Sequence, residues 1–167
     1  MKIERCWSMP NKWTFLIKPI NKLLSKYEVG TKWIDPFCGL HSLAEFRNDL
    51  NPNNTHAQYH LEAIDFLNLK KWDINGALFD PPYSLTQVSK SYNSIGLKFK
   101  SKENPTGGFP KVRSRLAELL KKNQYCVSFG WNTCGLGKKN NMEIVEILIV
   151  SHGGNRNDTL VTVEKKI

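Results

Sequence analysis

The sequence predicts an α/β fold built on a doubly wound, mostly parallel sheet with an antiparallel closing strand, and three observations carry that prediction. Short apolar runs stop abruptly at Asp-Pro, as in Ala77-Leu78-Phe79-Asp80-Pro81-Pro82 and Trp33-Ile34-Asp35-Pro36. Such runs read as buried strands whose hydrogen-bond ladder the prolines end. Stretches with helical spacing lie between them, so strands and helices alternate. The last two apolar runs, 144–150 and 160–164, are separated by a gap too short for a crossover helix, so they pair antiparallel.

Taken in order, Ile17, Ile20, Leu23 and Leu24 share one helical face, and Pro19 is expected to open that helix as its first residue. Residues 30–35 form a strand ended by Asp35-Pro36-Phe37. Gly39 then permits a tight turn with the backbone close to a ligand, and His41 is expected at a helix start. Residues 47–52 read as a second strand ending in an acid, and 61–67 as a helix. Residues 76–79 are the buried strand that delivers Asp80-Pro81-Pro82-Tyr83 to a sheet edge, which is where open α/β sheets do their chemistry. Residues 85–110, with Ser, Lys, Asn and Gly107-Gly108, show little apolar periodicity and are expected to be a long binding loop or lid. Val112, Leu116, Leu119 and Leu120 restore a helix, and 125–131 read as a further strand.

The 167 residues, 40% of them hydrophobic, fit one domain, 1–167, with a real core. No apolar run approaches the roughly 18 residues of a membrane span. Met1-Lys2-Ile3-Glu4-Arg5 lacks the apolar core of a signal peptide, so a cytoplasmic protein is expected. Cys6, Cys38, Cys126 and Cys134 are scattered without a C-x-x-C pair, which points to neither a zinc site nor a disulfide framework, and no metal is expected. Lys and Arg number 24 against 15 acids, giving a net charge of +9 and a partner expected to be polyanionic. The excess is concentrated between residues 98 and 122. The basic loop and helix 84–122 are therefore the expected nucleic-acid-contact insertion, through Lys98, Lys100, Lys102, Lys111, Arg113 and Arg115.

Asp80-Pro81-Pro82-Tyr83 suits one task, making a weak amine nucleophilic. An exocyclic amine on an aromatic base is nearly planar, and its attack on an electrophile requires acceptors aimed at its N–H groups. Asp80 offers a carboxylate, and Pro81 offers a backbone carbonyl held still by the proline ring. Tyr83 can stack on the base face.

The tetrad resembles the catalytic motif of the amino-methyltransferases, which move a methyl group from S-adenosylmethionine to adenine N6 or cytosine N4 in DNA. The adenine enzymes usually carry Asp first and the cytosine enzymes Ser, so the resemblance implies a Rossmann-like methyltransferase fold and an adenine-specific enzyme. It implies Asp80, Pro81, Pro82 and Tyr83 as catalytic residues. It also implies cofactor contacts from Asp35, Phe37, Gly39, Asp49, Asp65, Phe66, Asp80 and, in the N-terminal aromatic segment, Trp13. In the family's cofactor loop a second glycine often stands where this chain has His41. The chain looks like the small stand-alone enzymes that phages and mobile elements carry, at work in a bacterial or phage-infected cell. Cytosine N4, an adenine in RNA, and a catalytically silent cofactor- or DNA-binding subunit are the alternatives. A homodimer or a partner subunit is left open.

Overall fold

The computed structural model describes residues 1–99 and 108–167. Seven strands, β1 (Lys2–Trp7), β2 (Trp33–Asp35), β3 (Phe46–Arg47), β4 (Gly76–Phe79), β5 (Tyr125–Gly130), β6 (Met142–Ser151) and β7 (Thr159–Lys166), form one sheet in the order β1-β6-β7-β5-β4-β2-β3. Neighbours run parallel except at β7, which is antiparallel to both β5 and β6. The α/β class and the antiparallel closing strand are those the sequence predicts.

Helices cover both faces of the sheet centre. On one face α1 (Lys18–Lys26) and a 3-10 turn at Thr14–Leu16 bring Phe15, Ile20 and Leu24 against Leu78, Val127 and Val163. On the other, α2 (Ala63–Asn68) and α4 (Pro110–Leu119) bring Phe66, Leu67 and Leu116 against Ile34, Ala77 and Phe79. Successive side chains of a strand point to opposite faces. Ala77 and Phe79 thus serve one core and Leu78 the other, which is why β4 reads as an unbroken apolar run. Gly76 opens β4 because Trp33 of the neighbouring strand lies where its Cβ would be: a Cβ built there sits 2.6 Å from the indole.

Several elements differ from the expectation. Residues 85–110 contain a helix, α3 (Leu85–Ser94), capped by Ser84, whose hydroxyl accepts from the Gln87 N–H at 3.2 Å. Its only buried residue is Val88, so it carries no apolar stripe to read. No helix starts at His41. Residues 36–45 cross from β2 to β3 as turns, fixed by side-chain hydrogen bonds instead of helical ones. The second strand lies at Phe46–Arg47 instead of 47–52, and beyond it only an isolated bridge joins Asn48 to Tyr59. Pro19 is the second helical residue of α1, still within the first turn, where its missing N–H costs nothing. The edge strand β1 was not expected; almost wholly exposed, it has no buried face to signal it. Among the described residues no helix is long and apolar enough to cross a membrane.

Candidate functional site

The parallel strands β2, β3 and β4 end at one rim, and the residues just past them converge there. Asn48, buried, staples this rim together. Its amide donates to the carbonyls of Pro36 at 3.1 Å and Leu61 at 2.9 Å and accepts from the Leu61 N–H at 3.0 Å. Asn54 does the same one layer out, donating to the Gly39 carbonyl at 2.7 Å and to Asp49 Oδ2 at 2.8 Å. Gly39 adopts a φ of +53°, the left-handed conformation that glycine takes without strain, and nothing lies within 4 Å of the Cβ position it leaves empty.

Three carboxylates face this rim. Asp35 is fully buried, accepting from the Phe37 N–H at 3.0 Å and the Ser42 hydroxyl at 2.6 Å. Burial pushes its pKa up to about 7 against those two donors, and the fields of Asp80 and Asp49 add to the rise. Asp80, the first residue beyond β4, accepts from the Tyr83 hydroxyl at 2.7 Å and from the Thr14 side chain. Burial raises it to about 6, and the two donors oppose that rise. The Tyr83 phenol is pushed well upward, first by burial and then by the Asp80 charge beside it. Asp49 is oriented by the Asn51 N–H at 2.8 Å and by Asn54.

These groups bound a cleft of about 430 Å³ lined by Phe37, Gly39, Asp49, Glu62, Asp80, Pro81, Pro82, Tyr83 and Tyr92 among others. A recess of about 100 Å³ shares Pro81, Pro82 and Tyr83 with this cleft and is lined further by Arg113, Ser128, Trp131 and Asn132 among others. Trp131 stands edge-on to Tyr83 with ring centroids 5.7 Å apart. Pro81, Pro82 and Tyr83 therefore line both spaces, and Asp80 lines the larger one. Among the described residues no group of three or more His, Cys, Asp or Glu side chains is placed to hold a metal ion.

Of the residues the sequence singles out, Phe37, Gly39, Asp49, Asp80, Pro81, Pro82 and Tyr83 line the cleft, and Asp35 lies buried beside it. Others stand elsewhere. Phe66 is fully buried in the core, its ring against Tyr59 and Trp72, because α2 turns it towards the sheet. Asp65 lines an adjoining cleft of about 410 Å³ with Lys98 and Lys111. From this helix it is Glu62, at the N-cap position of α2, that joins Asp49 and Asp80 at the 430 Å³ cleft, and its Oε2 accepts from the Tyr92 hydroxyl at 2.6 Å. Trp13 packs edge-on against His41 at 5.3 Å, and its neighbour Thr14 reaches the cleft instead. Arg113 lies over the Phe79 ring at 5.4 Å, half-buried, and Arg115 pairs with Glu118 at 3.1 Å. Lys100 and Lys102 lie outside the described residues. Sequence reasoning missed Glu62, Thr14 and Tyr92. Only Glu62 carried a signal, its place immediately before a helical run.

No protein-family model matches the chain, and no curated protein matches it. Among solved structures, TrmN from Thermus thermophilus superposes with a TM-score of 0.58 at 14% identity, over 91% of this chain and 49% of that one. The two share a Rossmann-like α/β fold, and this chain spans about half the length of TrmN. A looser likeness joins it to the candidate methylase HI0767 from Haemophilus influenzae, at a TM-score of 0.45 and 12% identity over 90% of this chain and 86% of that one. That second likeness is too distant to carry an argument.

Proposed function

We propose that this protein transfers a methyl group from S-adenosylmethionine to the exocyclic N6 amine of adenine in DNA. The observation that carries this reading is the position of Asp80-Pro81-Pro82-Tyr83 just past strand β4, where Pro81, Pro82 and Tyr83 line both the 430 Å³ cleft and the 100 Å³ recess and Asp80 lines the cleft. A displacement between two bound reactants needs a larger space for the donor, a smaller one for the acceptor, and the assisting groups at their junction.

The residues at the 430 Å³ cleft fit the cofactor. Asp49 offers a carboxylate to ribose hydroxyls, the Asp35 and Asp80 carboxylates favour a cationic ligand, and Phe37 supplies an apolar wall. When bound, S-adenosylmethionine supplies a methyl group already activated by its sulfonium. The protein's part is to hold and polarise the amine. Asp80 accepts one amine N–H and stabilises the positive charge that grows on nitrogen, while the Pro81 carbonyl accepts the other. The Tyr83 hydroxyl, donating to Asp80 Oδ1, helps keep that carboxylate ionised near neutral pH, and the ring offers a face to the base. A carboxyl at about 6 requires transfer to fail as the pH falls through that value. Asp in first place favours adenine over cytosine, by the resemblance drawn from the sequence. DNA is the proposed partner, with Lys98 and Lys111 lining the adjoining cleft and Arg113 the recess.

The test is to incubate the protein with methyl-labelled cofactor and either DNA or RNA, digest to nucleosides, and identify the product by mass spectrometry. N6-methyladenine from DNA supports the reading. Label confined to RNA, label on cytosine, or none overturns it.

A further inference from the structure

Most of the positive charge does not lie at the cleft. Strands β2, β4, β5 and β6 all start from the opposite rim of the sheet, and antiparallel β7 ends there. The entering segments are stitched into one surface. The Asn75 N–H donates to the Lys32 carbonyl at 2.8 Å, the Asn123 N–H to the Lys166 carbonyl at 2.9 Å, and Lys166 Nζ to the Asn140 carbonyl at 2.9 Å. On this surface stand Lys32, Lys121, Lys122, Lys138, Lys139 and Lys166. Carboxylates stand with them: Asp73 is paired with Lys32 at 2.6 Å and Lys121 at 2.8 Å. Glu28 and Glu45 stand at the Lys32 end, and Glu143 faces Lys165 across the β6–β7 ladder. Lys122, Lys138 and Lys139 are exposed and belong to no ion pair among the described residues. The cleft itself carries Asp49, Glu62, Asp80 and the buried Asp35, with Lys98, Lys111 and Arg113 in the spaces that adjoin it.

The two ends are a strand apart. Six-residue β5 spans roughly 20 Å at about 3.3 Å per residue, so a lysine on one rim cannot touch phosphates flanking a base held at the other. Six lysines without an arginine present point charges instead of planar forks, which suits contact with phosphates irrespective of sequence. We propose that this lysine rim is a second contact for nucleic acid, holding the sugar-phosphate backbone of a stretch remote from the reacting base. The proposal rests on the reading of the substrate as nucleic acid.

The test is a variant carrying Lys122→Glu, Lys138→Glu and Lys139→Glu together, with thermal unfolding used to check that its fold is intact. Binding to a strand of about 40 nucleotides, and to the same target cut to about 8, is then measured across a salt series. Affinity for the long strand should fall at least about tenfold near 0.1 M salt. Its log–log salt slope should shrink by roughly two, at ~0.7 for each phosphate that a lysine no longer neutralises on a single strand. Binding and methylation of the short strand should not move. Unchanged affinity for the long strand at every salt concentration overturns the proposal, and so does an equal loss for both lengths. If the parent binds the long strand but methylates neither, the rim stands and the catalytic reading falls. If it binds neither strand, both fall.

Discussion

Replacing Asp35 with Asn is expected to stabilise this protein at alkaline pH and to flatten the pH dependence of its stability. Asp35 is fully buried with two hydrogen-bond donors and, among the described residues, no paired cation, and the charges that reach it, Asp80 and Asp49, are of its own sign. Its pKa stands at about 7, against 3.8 for a free carboxyl. Between those values the folded protein holds a proton that the unfolded chain has released, so stability falls as pH rises through that window and levels off above it. A displacement of this size corresponds to on the order of 4 kcal/mol between the two ends of the window. Asn keeps the shape. Its Oδ1 accepts from the Phe37 N–H as before, and its Nδ2 donates to the Ser42 hydroxyl, reversing that bond.

Urea unfolding followed by tryptophan fluorescence, from about pH 5 to about pH 8.5, measures the effect. The parent should lose stability across the range. The variant should lose less, keeping only what Asp80 and other raised acids such as Glu164 contribute, and should overtake the parent by a few kcal/mol above about pH 8. Parallel curves would refute the argument. A cationic ligand lowers a neighbouring carboxyl's pKa, so S-adenosylmethionine affinity should rise with pH through about 7 in the parent, and in the variant should level off lower, above the range of Asp80 at about 6.

Asp80→Ala should raise the barrier to methyl transfer by about 3–4 kcal/mol while cofactor affinity by calorimetry stays within a few-fold; a variant with half its activity would remove Asp80 from the mechanism. In Tyr83→Phe, Asp80 loses a donor that holds its pKa down, so the acid limb of the rate profile should move above about 6; an unmoved limb disconnects the phenol from the carboxyl. S-adenosylmethionine should raise the melting temperature, and Asp49→Ala should shrink that rise, because the ribose acceptor is gone. An unchanged rise makes Asp49 a turn residue only. Gly76→Ala, whose Cβ would meet the Trp33 indole at 2.6 Å, should cost about 1–3 kcal/mol by the urea midpoint; full stability would mean that the indole moves aside freely.

What was legible in the sequence was what two-sided burial writes into a strand. β4 is apolar at every position because it serves both cores, and the prolines after it mark its end without ambiguity. β6 and β7 were legible for the same reason, together with the short connection between them. What escaped was held by side-chain hydrogen bonds or exposed on both sides. Residues 36–45 lack a helix because Asp35, Ser42 and Arg47 anchor them, and no periodicity records such bonds. α3 escaped because a helix burying only Val88 needs no stripe. At the cleft, the structure brings together Phe37, Gly39 and Asp49, which follow strand ends, because the turn itself lines it. Phe66 lies in the core instead, because one turn of helix decides whether a residue faces the cleft or the core, and the start of α2 carries no side-chain capping hydrogen bond to fix that phase.

The separation of charge follows from the chemistry proposed for the cleft. A site for a cationic donor must be acidic, and the acids that serve it repel the phosphates of the nucleic acid whose base must enter. Near 0.1 M salt a charge is felt over about 10 Å. Lysines placed beside the cleft would therefore weaken cofactor binding, and carboxylates placed beside the lysines would weaken the hold on phosphate. Roughly 20 Å of sheet puts the two fields about two screening lengths apart, so each can be strong without cancelling the other. On this reasoning, lowering the salt to about 0.01 M, where screening extends to about 30 Å, should let each field reach the other site. Occupancy of the cleft by the cationic cofactor should then strengthen nucleic-acid binding, and by reciprocity nucleic acid should strengthen cofactor binding by the same factor. Calorimetric titration of the cofactor with and without the long strand, at both salt concentrations, measures that factor. A rise in coupling on lowering the salt that is just as large in the Lys122→Glu, Lys138→Glu, Lys139→Glu variant would show that the rim takes no part in it and end the case for the rim.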